Sequence, residues 1–219
     1  MIKAVIFDMD GVLFDTEQIS GMTWAQIGKE RNLEDIHGAL LDVIGLNWND
    51  GVAVLKKRYG ADFDGDEFLK EARVRNQAWI DEHGIPLKKG VRDILQFLKE
   101  RQIPTAICSS TAVPIIESHL ANASLQGYFQ AIIGGNLVKH SKPEPDIYLK
   151  ACEAVGMDPK DCIAIEDSPN GIRSAYRAGM QAIMVPDMVT PTEELLAMCV
   201  RKEDSLMDLM TYLNTALCE

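Results

Sequence analysis

The sequence predicts an α/β fold, an open parallel sheet with a helical unit inserted after its first strand. Three observations carry this. Short apolar runs recur at 4–7, 105–108, 131–133, 162–165 and 182–185. They are continuous rather than alternating, as in strands covered on both faces. Amphipathic stretches separate the later runs, which is the alternation of βαβ units. The region 16–82 contains no strand run at all.

In order, the first strand is Ala4-Val5-Ile6-Phe7, stopped by Asp8. Helical patterns follow near 18–31, 35–43, 50–59 and 65–82, punctuated by Gly45, Gly60 and Gly65. Gly84, Pro86 and Gly90 mark the return to the sheet unit. The stretch 90–101 is a helix, with apolar residues at 91, 94, 95 and 98. Helices are also expected over 144–155 and 170–178. The segment 203–218 reads as an amphipathic helix closing the sheet, with Met207 and Met210 as core residues. No internal repeat or low-complexity segment is present.

A chain of 219 residues suits one sizeable core plus a smaller unit. Apolar residues make up 47% and charged residues 25%, which excludes a disordered chain. The balance of 22 basic against 33 acidic residues gives −11, and the longest basic run is Lys56-Lys57-Arg58. No nucleic-acid partner is therefore expected, because binding to phosphate backbone uses a basic stripe. No run approaches the ~18 apolar residues of a membrane span, and the N-terminal stretch meets two acids, Asp8 and Asp10, too early for a signal peptide. The five cysteines, at 108, 152, 162, 199 and 218, form no Cys-x-x-Cys and no zinc spacing with the four histidines. They read as reduced thiols of a cytoplasmic protein. With no long exposed apolar seam evident, a monomer is expected.

In an open parallel sheet, ligands bind beyond the carboxyl ends of the strands. After the first strand stand Asp8 and Asp10, after the second Ser109, Ser110 and Thr111, after the third Lys142, and after the fourth Glu166 and Asp167. Singly, such residues serve as turn and N-cap groups. Together they place four acids, hydroxyls and one cation on a single sheet edge. Clustered carboxylates repel unless a hard cation lies among them, and oxygen ligands suit Mg²⁺. A phosphate ester would complete the set, with Lys142 and Ser109 on its oxygens. An Asp carboxylate is then a nucleophile toward phosphorus, and a second carboxyl two residues later is a proton donor and acceptor.

These residues resemble the haloacid dehalogenase-like superfamily of phosphotransferases over essentially the whole chain. The motifs are Asp-x-Asp-Gly-x-x-x-Asp at 8–15, Ser109, Lys142 in Lys-Pro-Glu-Pro-Asp-Ile-Tyr at 142–148, and Glu-Asp-Ser-Pro-Asn-Gly at 166–171. The insert looks like the small cap of the beta-phosphoglucomutase-like branch. The resemblance implies a Rossmann-like core, 1–15 and 84–219, with an α-helical cap at 16–83. It implies Asp8 as nucleophile and Mg²⁺ ligand, and Asp10 as general acid/base with its backbone carbonyl on the metal. Asp167 is implied as a direct ligand and Glu166 as one acting through water. Ser109, Ser110 and Lys142 are implied as phosphoryl-binding.

The departures from that family speak to substrate. Sugar phosphomutases of the branch carry a His where this chain has Ser20, a Lys-Asn pair where it has Ala112-Val113, and an Arg in the loop 45–49. A mutase must hold a bisphosphate, so their loss favours a phosphatase acting on a small phosphorylated metabolite, a sugar phosphate by preference. A sugar phosphomutase is the alternative. Asp15-Thr16-Glu17 resembles the start of the cap in sugar-phosphate phosphatases. Thr16, Trp48, Asn49 and Arg75 are the cap residues expected near substrate, Arg75 lying close to where relatives place a substrate-facing Lys. Asp10 with Glu166-Asp167 argues against a dehalogenase, and the insert argues against a receiver domain. Cys108 reads as a buried strand thiol. His37, His83, His119 and His140 are scattered without a role.

Overall fold

A computed structural model describes residues 2–216. Among them, β1 (Ala4–Phe7), β2 (Thr105–Ser109), β3 (Ala131–Gly134), β4 (Cys162–Glu166), β5 (Gln181–Met184) and β6 (Cys199–Lys202) form one parallel sheet in the order β3-β2-β1-β4-β5-β6. The order reverses between β1 and β4, which pair from Ala4 with Cys162 to Phe7 with Ile165. That reversal opens a crevice at the carboxyl ends of the two central strands.

Strand side chains alternate between faces. Val5 and Phe7 of β1, with Ile107 and Ile163, pack under α5 (Val91–Glu100), α6 (Val113–Asn122) and α10 (Leu206–Ala216). Ala4 and Ile6, with Ala106 and Ala164, pack under α7 (Asp146–Ala154), α8 (Pro169–Arg177) and α9 (Glu193–Leu196). Both faces are covered, which is why the strands read as continuous apolar runs. The exception is β6. Its residues Val200, Arg201 and Lys202 are exposed, so this edge strand carries no apolar run and sequence periodicity does not predict it. Charged side chains protect such an edge from further pairing. The helix expected over 203–218 begins only at Leu206; Cys218 lies outside the described residues.

Between β1 and α5 the chain forms α1 (Thr16–Arg31), α2 (Ile36–Val43), α3 (Trp48–Tyr59) and α4 (Gly65–His83). These helices have a core of their own, built on Trp24, Ile27, Leu40, Leu55 and Phe68. Asp64 caps α4 by accepting from the Glu67 amide at 2.9 Å, and Asn47 caps α3 by accepting from the Asp50 amide at 3.0 Å. Among the described residues, no helix is long and apolar enough to cross a membrane.

Candidate active site

The site begins where β1 runs out. The Asp8 amide donates to the Ile165 carbonyl at 2.9 Å, extending the β1–β4 ladder and fixing the Asp8 side chain at the crevice. The chain then turns sharply, with the Leu13 amide on the Met9 carbonyl and the Gly11 amide on the Phe14 carbonyl. Met9, Val12, Leu13 and Phe14 are buried and anchor this turn in the core. Gly11 has φ +80°, a conformation that favours glycine. Asp10 projects into the crevice. Its Oδ1 accepts from Thr16 Oγ1 at 2.7 Å, and its Oδ2 from Thr111 Oγ1 at 3.2 Å and Ser109 Oγ at 3.4 Å.

Lys142 comes from the segment between β3 and α7 and is 3% exposed. Its ammonium donates to Asp8 Oδ1, to Glu166 Oε1 and to the Cys108 carbonyl (3.2 Å). Glu166 is fully buried. Its Oε1 also accepts from the Tyr148 hydroxyl at 2.8 Å, and its Oε2 accepts from the Ser168 hydroxyl at 3.1 Å and the Asp167 amide at 3.2 Å. Ser168 Oγ in turn caps α8 by accepting from the Gly171 amide at 3.1 Å.

Asp8, Glu166 and Asp167 are all buried, and one oxygen of each lies within 4.8 Å of the others. Three acids thus face one lysine. Burial pushes the Asp8 carboxyl well above its ordinary range, against the pull of Lys142 and with the push of Glu166 and Asp10. Asp167 is raised likewise, by burial and by the charges of Asp8, Glu166 and Glu17. Burial alone would depress Lys142, but Asp8 and Glu166 more than reverse this and hold it cationic. Buried anionic oxygens outnumber the cations beside them, and such a cluster could hold a hard divalent ion such as Mg²⁺. Asp8 and Asp167 are free to offer oxygens to it. Glu17, half-buried at the rim, is pushed up to about 8 by burial and by the charges of Asp10, Asp187 and Asp8.

A cavity of about 550 Å³ lies between this edge and the helical insert. Asp8, Asp10, Ser109, Ser110, Lys142 and Asp167 form its floor; Thr16 and Trp48 also line it. Two expected residues stand elsewhere. Asn49 is exposed and absent from the lining. Arg75 is turned onto the insert's own acids, Glu30 (3.0 Å) and Glu71. From α4 the cavity is lined by Leu69, Ala72, Arg73, Val74, Asn76, Gln77 and Ile80, and not by Arg75.

Three contributors were not assigned in sequence. Thr111 follows Ser109 and bonds Asp10; its place in the post-strand loop was its only signal. Arg73 lies one face round from Arg75. His119, on α6, is 7% exposed, lines the cavity and stacks edge-on with Phe14 at 5.9 Å. Burial depresses its imidazole, with Asp10 opposing.

The insert also touches the core directly. The Asn47 side-chain amide donates to Ser141 Oγ, next to Lys142. A Cβ at Gly45 would lie 3.1 Å from Ser168. The loop between α2 and α3 therefore rests on the acid-lysine edge.

The model of the haloacid dehalogenase-like hydrolases matches residues 5–185. A phosphorylated carbohydrates phosphatase of Thermotoga maritima is 30% identical over 83% of this chain and 84% of its own. The structure of CbbY from Rhodobacter sphaeroides in complex with phosphate superposes with a TM-score of 0.79 at 26% identity, over 95% of this chain and 96% of that one. The β-phosphoglucomutase of Clostridium difficile, 22% identical with a TM-score of 0.77 over 100% of both chains, shares the fold. With its four motifs gathered on one sheet edge and the match spanning most of its length, the chain belongs to the haloacid dehalogenase-like hydrolase family.

Proposed function

We propose that this protein hydrolyses a small phosphate monoester, a sugar phosphate by class, through an aspartyl-phosphate on Asp8. The observation that carries the reading is Lys142 joining Asp8 to Glu166 at the floor of a cavity that also presents Asp10. The Asp8 carboxylate is held against a cation at the place where a phosphoryl group would dock. The relative that acts on phosphorylated carbohydrates supports the substrate class.

In this reading a carboxylate oxygen of Asp8 attacks phosphorus and the bond to the ester oxygen breaks. Asp10 protonates the departing alkoxide, then takes a proton from the water that attacks the aspartyl-phosphate. Thr16 and Thr111 orient Asp10 for both transfers. Lys142 and the Ser109 hydroxyl hold phosphoryl oxygens, with Ser110 beside them. Asp8, Asp167 and the Asp10 carbonyl would hold Mg²⁺, which supplies charge neutralisation between two anionic reactants. Glu166, whose oxygens already accept from Lys142, Tyr148 and Ser168, would act on it through water. The insert is the cap that excludes bulk water and oversized substrates. We place the protein in the cytoplasm as a monomer, where Cys108, Cys152, Cys162 and Cys199 stay free.

The test is phosphate release from a panel of sugar, polyol and nucleoside monophosphates with Mg²⁺ and with EDTA. Metal-dependent release that disappears in Asp8→Asn supports the reading. Isomerisation of a sugar phosphate without release, driven by its bisphosphate, would replace it with the mutase.

A further inference from the structure

Of the insert's four arginines, Arg31, Arg58 and Arg75 pair with carboxylates of the insert. Arg73 pairs with none among the described residues. Its guanidinium lies over the Trp48 indole, 4.3 Å from the ring centroid, and both residues line the cavity. The indole is itself held in place, because its Nε1 donates to Asp66 at 2.7 Å. Arg73 is itself exposed; desolvation by the groups around it depresses its guanidinium, and no neighbouring carboxylate offsets that. The floor's own cation, Lys142, is already engaged by Asp8 and Glu166. Arg73 is thus the cavity-lining cation that no protein carboxylate satisfies, on the wall formed by the insert.

A guanidinium held over an indole by cation–π attraction pairs with no carboxylate there, so N–H donors remain available for a ligand. That fork matches a carboxylate with two parallel hydrogen bonds. A neutral polyol needs no such charge, and a second phosphate, with nearly two negative charges, would call for more than one cation. Resting on the phosphatase reading above, we propose that Arg73, seated on Trp48, binds a carboxylate at the far end of the substrate. The preferred esters are then phosphorylated hydroxy acids rather than phosphorylated neutral polyols.

The experiment compares a hexonate 6-phosphate with the hexitol 6-phosphate of the same stereochemistry, which differ only in a terminal carboxylate against a hydroxymethyl group. Binding is read by calorimetry with Mg²⁺ on Asp8→Asn, so that turnover does not intrude. The hexonate ester is expected to bind roughly 10- to 100-fold more tightly, the range of a charge-assisted contact. Adding Arg73→Gln should bring the two esters to near equality, and Arg73→Lys should restore only part of the preference. Equal or absent binding overturns the proposal, as does a preference that survives Arg73→Gln. Tighter Arg73-dependent binding of a hexose bisphosphate also overturns it, in favour of a second phosphate. Thermal unfolding of the Arg73→Gln protein beside its parent checks that the variant is folded. Mg²⁺-dependent release from p-nitrophenyl phosphate by the wild-type protein tests the phosphatase reading separately; no release rejects that reading, whereas release without a hexonate preference rejects only the role of Arg73.

Discussion

A Cβ placed on Gly11 would lie 2.2 Å from Oδ2 of Asp167. The turn that aims Asp10 and the carboxylate that closes the acid cluster therefore share one space. Gly11→Ala has two effects. The left-handed φ costs about 1–2 kcal/mol for a residue with a Cβ, and Asp167 must move. We expect a lower unfolding midpoint and a loss of phosphatase turnover well beyond what the stability change explains. Chemical denaturation and initial rates, measured on the same preparation, separate the two.

Lys142→Met should remove a buried cation and leave Asp8 and Glu166 facing each other. Breaking a buried pair costs about 3–5 kcal/mol. The loss should be largest in EDTA and smaller with Mg²⁺, which would compensate the same acids. Urea denaturation in the two buffers reads this; an equal loss in both would count against a metal among these carboxylates.

Glu17 contributes to the pH dependence of the metal-free protein, beside the raised carboxyls of Asp8 and Asp167. Its carboxyl titrates near 8 in the folded chain against an ordinary value near 4.5, so the folded state holds the extra proton. Stability from this group is complete below the ordinary value and is lost as pH rises to about 8 and beyond. In EDTA, Glu17→Gln should flatten the decline in melting temperature between mildly acidic and alkaline buffer. An unchanged decline would remove Glu17 as its source.

Thr16→Val should deprive Asp10 of its 2.7 Å hydrogen bond. Asp10→Asn should remove the proton itself, at a loss on the order of 10²–10⁴. Both should slow alkyl phosphates more than p-nitrophenyl phosphate, whose leaving group departs without protonation. Comparison of kcat/KM for the two ester types tests the role; equal losses would reduce Thr16 to a packing residue.

Arg75→Ala should leave KM for any ester nearly unchanged, since Arg75 faces Glu30 and Glu71. Its ion pairs lie at the surface, so their loss should change stability little. A several-fold rise in KM would return Arg75 to the substrate site.

Much of this molecule was legible before folding. The five strands flanked by helices announced themselves because burial on both faces demands unbroken apolar runs, and the acids, hydroxyls and lysine after them fell on one edge because parallel strands all end there. β6 was not legible: an edge strand exposing Val200, Arg201 and Lys202 has no reason to be apolar. The wall of the cavity was read less well than the floor. Floor residues follow strands at fixed offsets, whereas wall residues depend on the rotation of α4, and a two-residue difference separates Arg73, over Trp48, from Arg75, over Glu30. His119 carried no local signal at all, since its position against Phe14 arises from the packing of α6 on the sheet.

The hydrogen bond from Asn47 to Ser141 has a thermodynamic corollary. Ser141 precedes the lysine that would grip the phosphoryl group, and Asn47 caps the helix that begins with Trp48. Any ligand that steadies the 141–142 segment also favours the docked position of the α2–α3 loop, and any ligand that steadies that loop favours the segment in return. Linkage makes this coupling reciprocal. An ester gripped at both ends would therefore bind more tightly than its two halves suggest, while free phosphate, leaving the wall untouched, would depart readily.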